Sequence, residues 1–347
     1  MSHRVQLITV TCLLITALSA CNMPTPDTSA TETPATASPA STDDGSGIAT
    51  PTDVPTERPE LGQPGNPILL ALPPSQIMDG EVISNGQQLA ALLEEQSGFR
   101  IVAVAPSSYT DLIEALRIGN AHIGGLPPYA LVKAYGQGAV TAAFASTENE
   151  SATYGAQFLA RSDRFESFFD PNAGRNFKEP TDALAQFSGK KPCWTTPDSL
   201  SGYRLPSGIL NWYQIPVQEG AFVQSHFSVV RAIVLGSVCD FGATYIDARE
   251  YPVLADEYPH IMDEVIVVWQ IPPLIPYDGL FLSTTLPAET RLQLIAALQQ
   301  VALSGEGQRL IKSLYNIENM IPVEDIFYTE FVRYITASNA DWDSLVH

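Results

Sequence analysis

An internal repeat is the feature that most constrains how this chain of 347 residues can fold. Shifted by 117 positions, the segment "SYTDLIEALRIGNAHIGG" at 108–125 lies on "SHFSVVRAIVLGSVCDFG" at 225–242 without a gap. The identical pairs are Ser108 and Ser225, Ala115 and Ala232, Gly119 and Gly236, and Gly125 and Gly242. Because each copy has the pattern of a helix followed by a strand, the repeat predicts two similar α/β units.

The rest of the region after residue 66 shows the same alternation. The runs "PILLAL" at 67–72 and "RIVAVA" at 100–105 are typical of strands, and segments with helical spacing follow them. Such alternation indicates an α/β protein with largely parallel sheets. Ligands of these sheets bind beyond the carboxyl ends of the strands, where loops enter helices. The repeat therefore predicts a cleft between two lobes, with Ser108 and Tyr109 on one side and His226 on the other.

Proline-interrupted apolar runs predict that the chain returns to its first lobe. Within "EVIVVWQIPPLIPYDGLFLSTTLP" at 264–287, the prolines forbid a continuous helix. We expect lobe 1 at 67–160, lobe 2 at 161–267, and lobe 1 again at 268–347 together with C-terminal helices, with crossings near 155–163 and 266–276.

The N-terminus has the pattern of an export signal. Arg4 precedes the apolar run "VQLITVTCLLITALSA", which is too short for a typical membrane span. The sequence "LSAC" at 18–21 matches the bacterial lipobox and predicts a signal peptide at 1–20 and a lipid on Cys21. An ordinary cleaved signal with an incidental cysteine is the alternative. The Thr-, Pro-, Ser- and Ala-rich stretch 21–66 is expected to be a disordered tether, which places the folded part at the outer face of a bacterial cytoplasmic membrane.

Composition limits the ligands and partners. With Cys12 in the signal and Cys21 lipidated, Cys193 and Cys239 remain, and an exported protein is expected to pair them as a disulfide. The sequence has no C-x-x-C or H-E-x-x-H motif, so we expect neither a metal nor a cofactor. A formal net charge of −20 argues against nucleic acid or an anionic membrane surface as a partner. A small anion would have to be held by local dipoles and hydrogen bonds.

The segment "TTPDSLSGYRLP" at 195–206 places hydroxyl groups and a glycine ahead of a predicted helix. Free backbone N–H groups, serine hydroxyls and the positive end of a helix dipole together bind anions, and Gly202 lets the backbone approach closely. Ser199, Ser201, Gly202 and Tyr203 are therefore candidate ligand-binding residues. The alternative is a capped turn without a ligand.

Further polar residues occupy the loops that face the predicted cleft. His226 could donate a hydrogen bond to a ligand oxygen, and it aligns with Tyr109 in the repeat. Tyr129 follows a Pro-Pro turn at a strand end, and Tyr245 and Asp247 follow the equivalent strand of the second lobe. Each has a structural alternative, in which the side chain only packs or is solvated.

A catalytic alternative uses some of the same residues. Ser199 or Ser201 as a nucleophile would need His226 as a base and Asp247 as the orienting acid. Neither serine lies in a G-x-S-x-G elbow. We therefore expect a binding protein rather than an enzyme.

The same segments carry a family resemblance over roughly 68–330. "TTPDSLSGYRLPSGIL" resembles the S-x-S-G-Y-x-x-P segment of the phosphonate/phosphate/phosphite-binding lipoproteins of ABC importers. "APSSYTDLIEALRIGNAHIGGLPPYALVKA", "SHFSVVRAIVLGSVCDFGATYIDA" and "IPPLIPYDGLFLSTTLP" resemble, in turn, the tyrosine-led helix, the Ser-His helix and the crossover of that family. The resemblance implies a type II periplasmic-binding-protein fold, in which each of two lobes has a mostly parallel sheet flanked by helices.

By the same resemblance, the ligand is a small phosphorus oxyanion that the lobes enclose and deliver to an ABC permease. The implied contacts are made by Ser199, Ser201, Gly202, Tyr203, Tyr109 and His226. Leu200 stands where relatives often have threonine, so one hydroxyl donor is absent. We identify no acidic residue for the amino group of an aminoalkyl phosphonate, which leaves phosphate, phosphite and methylphosphonate open.

Two other functions fit the same fold. One is a binding protein for an organic ligand, a sulfonate or a pyrimidine, which a pocket lined by Trp194, Tyr203 and Phe227 would favour over a small oxyanion. The other is a sensory lipoprotein that presents its ligand to a membrane kinase. We expect a monomer.

Overall fold

Two main β-sheets, each flanked by helices, and a separate two-stranded ribbon organise the part of the chain that the structure describes. The computed structural model describes residues 59–74 and 80–346. The strands are β1 Ile68–Ala71, β2 Ile101–Val104, β3 Ile123–Leu126, β4 Val140–Thr147, β5 Thr153–Arg161, β6 Phe169–Asp170, β7 Arg175–Asn176, β8 Pro192–Trp194, β9 Ala221–Phe222, β10 Phe241–Tyr245, β11 Val265–Pro276, β12 Gly279–Ser283 and β13 Asn319–Pro322. The helices are α1 Gly80–Ser97, α2 Tyr109–Ile118, α3 Pro128–Gly136, α4 Pro180–Leu184, α5 Leu205–Trp212, α6 His226–Leu235, α7 Pro252–Glu257, α8 Ile261–Glu264, α9 Ala288–Leu303, α10 Gly305–Tyr315, α11 Thr329–Ala337 and α12 Trp342–Leu345.

The first sheet, that of lobe 1, has the strand order β13-β4-β12-β3-β1-β2. β1 pairs in parallel with β2 and β3, while β12 runs antiparallel between β3 and β4. β3, "IGGL", is buried along its whole length. Gly125 leaves room there for the ring of Tyr315, to which a Cβ would come within 2.4 Å. Burial on both faces explains why these strands are apolar runs without polar alternation.

The second sheet, that of lobe 2, has the strand order β11-β5-β10-β8-β9. β8 is parallel to β9 and β10, and β5 runs antiparallel to β10 and β11. Aromatic rings fill the core: Phe187 stacks on Phe241 with ring centroids 3.9 Å apart, and Phe158 lies 5.6 Å from Phe187. A disulfide joins Cys193 in β8 to Cys239 just before β10. It ties two neighbouring strands of the sheet together.

The repeat has the same geometry in both lobes. α2 and α6 are each ten residues long. Ser108 and Ser225 cap their first turns, each accepting a hydrogen bond from the N–H three residues further on. Gly119 and Gly236 end them in the left-handed conformation, with φ of 79° and 63°. Because this C-terminal conformation favours glycine, the matched glycines have a matched role, and the predicted duplication is confirmed.

The chain changes sheets at 148–152, between β4 and β5, and at 277–278, between β11 and β12. The boundaries drawn from the sequence patterns, after residues 160 and 267, fall inside β5 and β11. These two strands pair with each other along most of their length, so both belong to lobe 2. Apolar content identifies a strand but does not say which sheet the strand joins.

Helix α11 connects the lobes a third time. It follows β13 of lobe 1 but packs along α5 of lobe 2, where a Cβ on Gly208 would lie 1.8 Å from the Tyr334 carbonyl oxygen. The hydroxyls of Tyr213 and Tyr334 are 3.1 Å apart, and the Asn211 side chain donates to the Ala337 carbonyl. The C-terminal helices therefore brace lobe 2 as well as lobe 1.

Residues 59–66, which the composition assigned to the tether, fold against lobe 1. Leu61 packs on the lobe-1 core. The Arg100 N–H donates to the Gly62 carbonyl, and Gly62 lies against the Phe99 ring. The expected signal peptide, Cys21 and the tether up to residue 58 lie outside the described residues. Within the described ranges, no helix combines the length and the apolar character that crossing a membrane requires.

Candidate ligand-binding site

The loop after β8 forms the first wall of the site. Ser199 caps a wide π-helical turn at Leu200–Arg204, and its Oγ accepts a hydrogen bond of 3.0 Å from the Gly202 N–H. α5 follows directly, with Pro206 in its first turn, where proline is tolerated. The N–H groups that begin this helical segment therefore gather at its positive end. We call residues 195–204 the serine loop.

Thr195 lies against Gly202. A Cβ on Gly202 would come within 2.1 Å of the Thr195 Oγ1, so the close approach requires glycine. Thr195 is 2% exposed and Ser201 is 6% exposed. In the described part of the chain, the Thr195 Oγ1 is buried without a hydrogen-bond partner. Sequence reasoning missed this hydroxyl, although Thr195 follows the strand "PCW" directly and so stands where a ligand loop begins.

Tyr203 supports the serine loop from the core side. Its ring lies 5.5 Å from that of Trp194, which is buried, and packs edge-on against Phe222 at 4.9 Å. Phe227 stacks instead on Tyr251 at the surface, with ring centroids 5.4 Å apart. Of the three rings that an organic-ligand pocket would combine, those of Trp194 and Tyr203 thus pack on each other, whereas the ring of Phe227 has separate surroundings.

His226 is a neutral hydrogen-bond donor at the start of α6. Its Nδ1 accepts a hydrogen bond of 3.2 Å from the Tyr245 N–H, and the two rings lie edge to face at 4.6 Å. Burial lowers the pKa of His226 to about 4, so the imidazole is uncharged at neutral pH. A neutral imidazole that accepts at Nδ1 carries its proton on Nε2. His226 can therefore donate from Nε2 to an anion.

The groups of the catalytic alternative do not form a relay. Asp247 is exposed in the turn after β10, with a left-handed φ of 63°. The Nδ1 of His226 faces a main-chain N–H rather than a carboxylate, and the Ser199 Oγ caps its own helical turn. Activation of a serine needs a base oriented by an acid, and this arrangement does not provide one.

Lobe 1 contributes the start of α2. The Oγ of Ser108 is engaged as the helix cap. Tyr109 lines a cavity of about 180 Å³ at the carboxyl ends of β1 and β3, together with Asp278 and Asn316. Burial and the nearby Asp278 carboxylate raise the pKa of Tyr109. Its hydroxyl therefore stays protonated and can donate.

Tyr129 joins the two walls. It lies on α3 of lobe 1, and its hydroxyl donates a hydrogen bond to the main-chain carbonyl of Asp198 in the serine loop. Burial raises the pKa of Tyr129, and the positive charge of Arg204 partly offsets that rise. In this conformation the two lobes meet at the serine loop.

Two acidic residues at the changes of sheet were missed by sequence reasoning. Asp278 is exposed at the mouth of the lobe-1 cavity, but the surrounding protein desolvates it, and this desolvation and the Glu148 carboxylate raise its pKa. Glu148 lines a second cavity of about 680 Å³ with Tyr154 and Tyr277, whose ring centroids are 5.4 Å apart. The "YDG" turn at 277–279 could have pointed to Asp278, because this turn precedes a strand at the predicted cleft.

The structure places the predicted residues in several different settings, of which the exposed turn of Asp247 is one. Ser199, Ser201 and Gly202 lie together in the serine loop, where Tyr129 meets them from lobe 1. Tyr109 and His226 begin matching helices in the two lobes. Tyr203 belongs to the aromatic support, and Ser108 is a helix cap. Across residues 59–74 and 80–346, no three His, Cys, Asp or Glu side chains cluster so as to hold a metal ion.

Two α/β lobes joined by crossovers, with helix starts and hydroxyl groups where they meet, define a type II periplasmic binding protein. Comparison with protein families then gives the particular family. The model of the phosphonate ABC transporter periplasmic substrate-binding proteins matches residues 77–328. The chain belongs to this family, which confirms the resemblance; its members are transport proteins rather than enzymes.

Individual known proteins show the range of similarity. The phosphate-import protein PhnD of Mycolicibacterium smegmatis is 29% identical over 212 residues, which cover 56% of this chain and 59% of that protein. The chain thus spans less than two thirds of the length of that relative. PhnD1 from Prochlorococcus marinus, solved with methylphosphonate, is 13% identical at a TM-score of 0.39, covering 79% of this chain and 99% of that one. Transferrin 1 from Manduca sexta shares the fold alone, with 9% identity, a TM-score of 0.50, and coverage of 78% and 46%.

Proposed function

We propose that this chain is the substrate-binding lipoprotein of an ABC importer for a small phosphorus oxyanion, a phosphonate, phosphite or phosphate. The serine loop carries the proposal, because it combines the N–H groups that begin a helical segment, the hydroxyl of Ser201 and the buried Thr195 Oγ1, which lies against Gly202. Local dipoles of this kind bind an anion even in a protein with a net charge of −20. The family and the phosphate-import relative support the same ligand class.

The oxyanion binds to lobe 2 first in this proposal. The serine loop and the Nε2 of His226 supply donors, and lobe 1 then closes with Tyr109 and Tyr129. Closure excludes water, which strengthens each charge-assisted hydrogen bond. The segments 148–152 and 277–278, where the chain changes sheets, absorb the motion as a hinge.

Delivery takes place at the outer face of the cytoplasmic membrane, where the permease takes up the ligand. The "LSAC" sequence supports a lipid on Cys21 as the anchor. Labelling of cells with a tagged fatty acid tests this part of the proposal. We expect the wild-type chain to carry the label and Cys21→Ser to lose it; an unlabelled wild-type chain would leave an ordinary cleaved signal as the explanation.

One observation favours a second ligand class. Asp278 places a carboxylate in the lining of the cavity that Tyr109 also lines, and the charge of Glu148 acts on that carboxylate. A carboxylate repels a neighbouring oxyanion, whereas an ammonium group on the same ligand would be attracted to it. An aminoalkyl phosphonate would therefore suit both lobes, with its phosphonate group at the serine loop and its ammonium group near the Asp278 carboxylate. If it is the ligand, Asp278→Asn weakens its binding and leaves methylphosphonate unchanged or stronger.

Isothermal titration of the purified protein tests the ligand class. Phosphate, phosphite, methylphosphonate, 2-aminoethylphosphonate and sulfate form the panel, and failure to bind any phosphorus oxyanion would refute the proposal. Ser199→Ala has a matched control in Ser304→Ala, because Ser304 caps α10 by accepting from the Gly307 N–H at the same distance, 3.0 Å. Each variant loses a helix cap, which costs about 1 kcal/mol of stability. Only Ser199→Ala should weaken the binding of the anion.

A further inference from the structure

The cavity at the changes of sheet has no role in the proposed binding of an oxyanion. It has a volume of about 680 Å³, and Glu148 and Tyr277 line it from the two segments where the chain changes sheets. Tyr154 at the start of β5, Tyr245 at the end of β10 and Pro273 in β11 also line it. Pockets for organic ligands have volumes of about 300–1,000 Å³. This cavity therefore has room for more than an inorganic oxyanion.

Tyrosine rings give the cavity its chemical character. The ring centroids of Tyr154 and Tyr277 are 5.4 Å apart, and both residues are half-buried. Tyr245, which lines the same cavity, is 39% exposed. Aromatic rings pack favourably with other rings, and covering their apolar surface is favourable through the hydrophobic effect. The charged lining residue is Glu148, which repels an occupant with a negative charge. The cavity thus suits an organic group without negative charge.

Tyr245 connects this cavity to the proposed oxyanion site. Its N–H donates a hydrogen bond to the Nδ1 of His226, and the two rings lie edge to face with their centroids 4.6 Å apart. The other ring nitrogen of His226, Nε2, is the donor that the proposed function assigns to the oxyanion. The imidazole that binds the oxyanion is therefore in contact with a ring that lines the cavity. A substituent on phosphorus that extends past the Tyr245 ring would enter the cavity.

We propose that the cavity holds an organic substituent of the ligand, so that the ligand is a phosphonate with an apolar or aromatic group rather than an inorganic oxyanion. The inference rests on the proposed function and narrows its ligand class. Phosphite or phosphate would leave the tyrosine rings of the cavity in contact with water, whereas a substituent would cover them. Such a substituent would also contact both segments of the proposed hinge, since both line the cavity.

A series of ligands with one oxyanion group and substituents of increasing size tests the inference without any variant. Isothermal titration of the wild-type protein compares phosphite, methylphosphonate, propylphosphonate and phenylphosphonate. At about pH 9, above the second pKa of about 6 that is typical of phosphate groups, all four are dianions. We expect affinity to rise along the series, by up to about fourfold for each buried methylene group. Phenylphosphonate should bind most tightly.

Variants of Tyr277 test whether the cavity is the site of the substituent. Tyr277→Ala removes a ring from the lining, and Tyr277→Phe keeps it. We expect Tyr277→Ala to reduce the preference for phenylphosphonate over phosphite by about two- to tenfold, the effect of one aromatic contact, and Tyr277→Phe to keep it. Tyr258→Ala is the control, because Tyr258 is a half-buried tyrosine of lobe 2 that packs beside the core and does not line this cavity.

Affinity that stays equal or falls from phosphite to phenylphosphonate in the wild-type protein would overturn the inference and leave the proposed function in place. A preference for phenylphosphonate that Tyr277→Ala and Tyr258→Ala reduce equally would also overturn it, because the cavity would then not hold the ring. If Tyr277→Ala does not fold, the ligand series on the wild-type protein decides. A wild-type protein that binds no phosphorus oxyanion refutes the proposed function itself.

Discussion

The hydroxyl of Tyr129 in lobe 1 donates a hydrogen bond to the main-chain carbonyl of Asp198 in lobe 2. The acceptor lies within the serine loop, next to the Ser199 cap. The contact between the lobes and the proposed anion site are therefore adjacent. A ligand that orders the serine loop and a contact that holds the lobes together should stabilise the same conformation.

Tyr129→Phe removes this hydrogen bond and keeps the ring. We expect ligand affinity to fall by about two- to tenfold, the effect of one ordinary hydrogen bond, because the closed conformation is less stable. Titration measures the affinity, and small-angle X-ray scattering should show less compaction on ligand addition. Tyr135→Phe is a matched control on the same helix, since the Tyr135 hydroxyl bonds Asp325 within lobe 1. Equal losses of affinity in both variants would contradict a role for the contact between the lobes.

Gly202→Ala should disrupt the serine loop. The added Cβ would come within 2.1 Å of the Thr195 Oγ1, and Thr195 is buried. We expect a loss of about 1–3 kcal/mol in the free energy of unfolding, typical of overpacking, together with loss of anion binding. Gly305→Ala is the control, because a Cβ there has open space around it. Denaturant unfolding and titration check both variants; unimpaired binding in Gly202→Ala would show that the loop can shift without consequence.

Acid should destabilise the protein through two histidines, the buried His122 and the half-buried His226. Burial lowers the pKa of His226 to about 4 and also lowers the pKa of His122, whereas an unfolded histidine has a pKa of about 6.5. Between these values the unfolded chain binds more protons, so stability is fully present above about pH 6.5 and falls toward pH 4. Since His226 is partly solvated, its share is about 2 kcal/mol.

His226→Asn tests this dependence on pH, because the amide oxygen can replace Nδ1 as the acceptor for the Tyr245 N–H. Urea unfolding at pH 7 and pH 4.5 should show a smaller loss of stability in the variant than in the wild-type protein. His122→Asn should remove the other part of the dependence, since the His122 Nδ1 also accepts from a main-chain N–H, that of Leu69. A loss in His226→Asn equal to the wild-type loss would show that His226 does not contribute.

Reduction of the Cys193–Cys239 disulfide should destabilise lobe 2. The bond closes a loop with a sequence separation of 46 residues, which corresponds to about 4 kcal/mol of chain entropy. Calorimetry should show a fall in Tm of about 10 °C with a reductant. A Cys193→Ala/Cys239→Ala variant should melt at the lower temperature and be insensitive to the reductant. Free thiols in the unreduced, denatured wild-type protein would contradict the pairing.

Local rules explain what could be predicted from the sequence. Helix caps and stops depend on hydrogen bonds and φ angles within one turn of helix, as at Ser108 and Gly119 in one unit and Ser225 and Gly236 in the other. The spacing of these residues along the chain was therefore enough to predict the two matching units. The serine loop was predicted for the same reason, because Ser199 and Gly202 are three residues apart in one capped turn.

Long-range contacts decided the rest. Thr195 became part of the site because the Gly202 backbone packs against it, and Tyr129 because α3 of the other lobe brings its hydroxyl to the Asp198 carbonyl. Asp278 reaches the Tyr109 cavity through the crossover between sheets. Tyr203 likewise packs in an aromatic cluster, which no pattern along the chain reveals.

The sequence by itself determined an α/β chain with a duplicated unit, a capped serine loop and a family, since each depends on periodicity, caps or a short motif. Only the tertiary structure decided where the chain changes sheets, that α11 braces lobe 2, and which charges surround the serine loop. The physical reason is the range of the interactions. Caps and turns act over three or four residues, whereas burial and electrostatic contacts depend on groups that meet only when two sheets and three connections are in place.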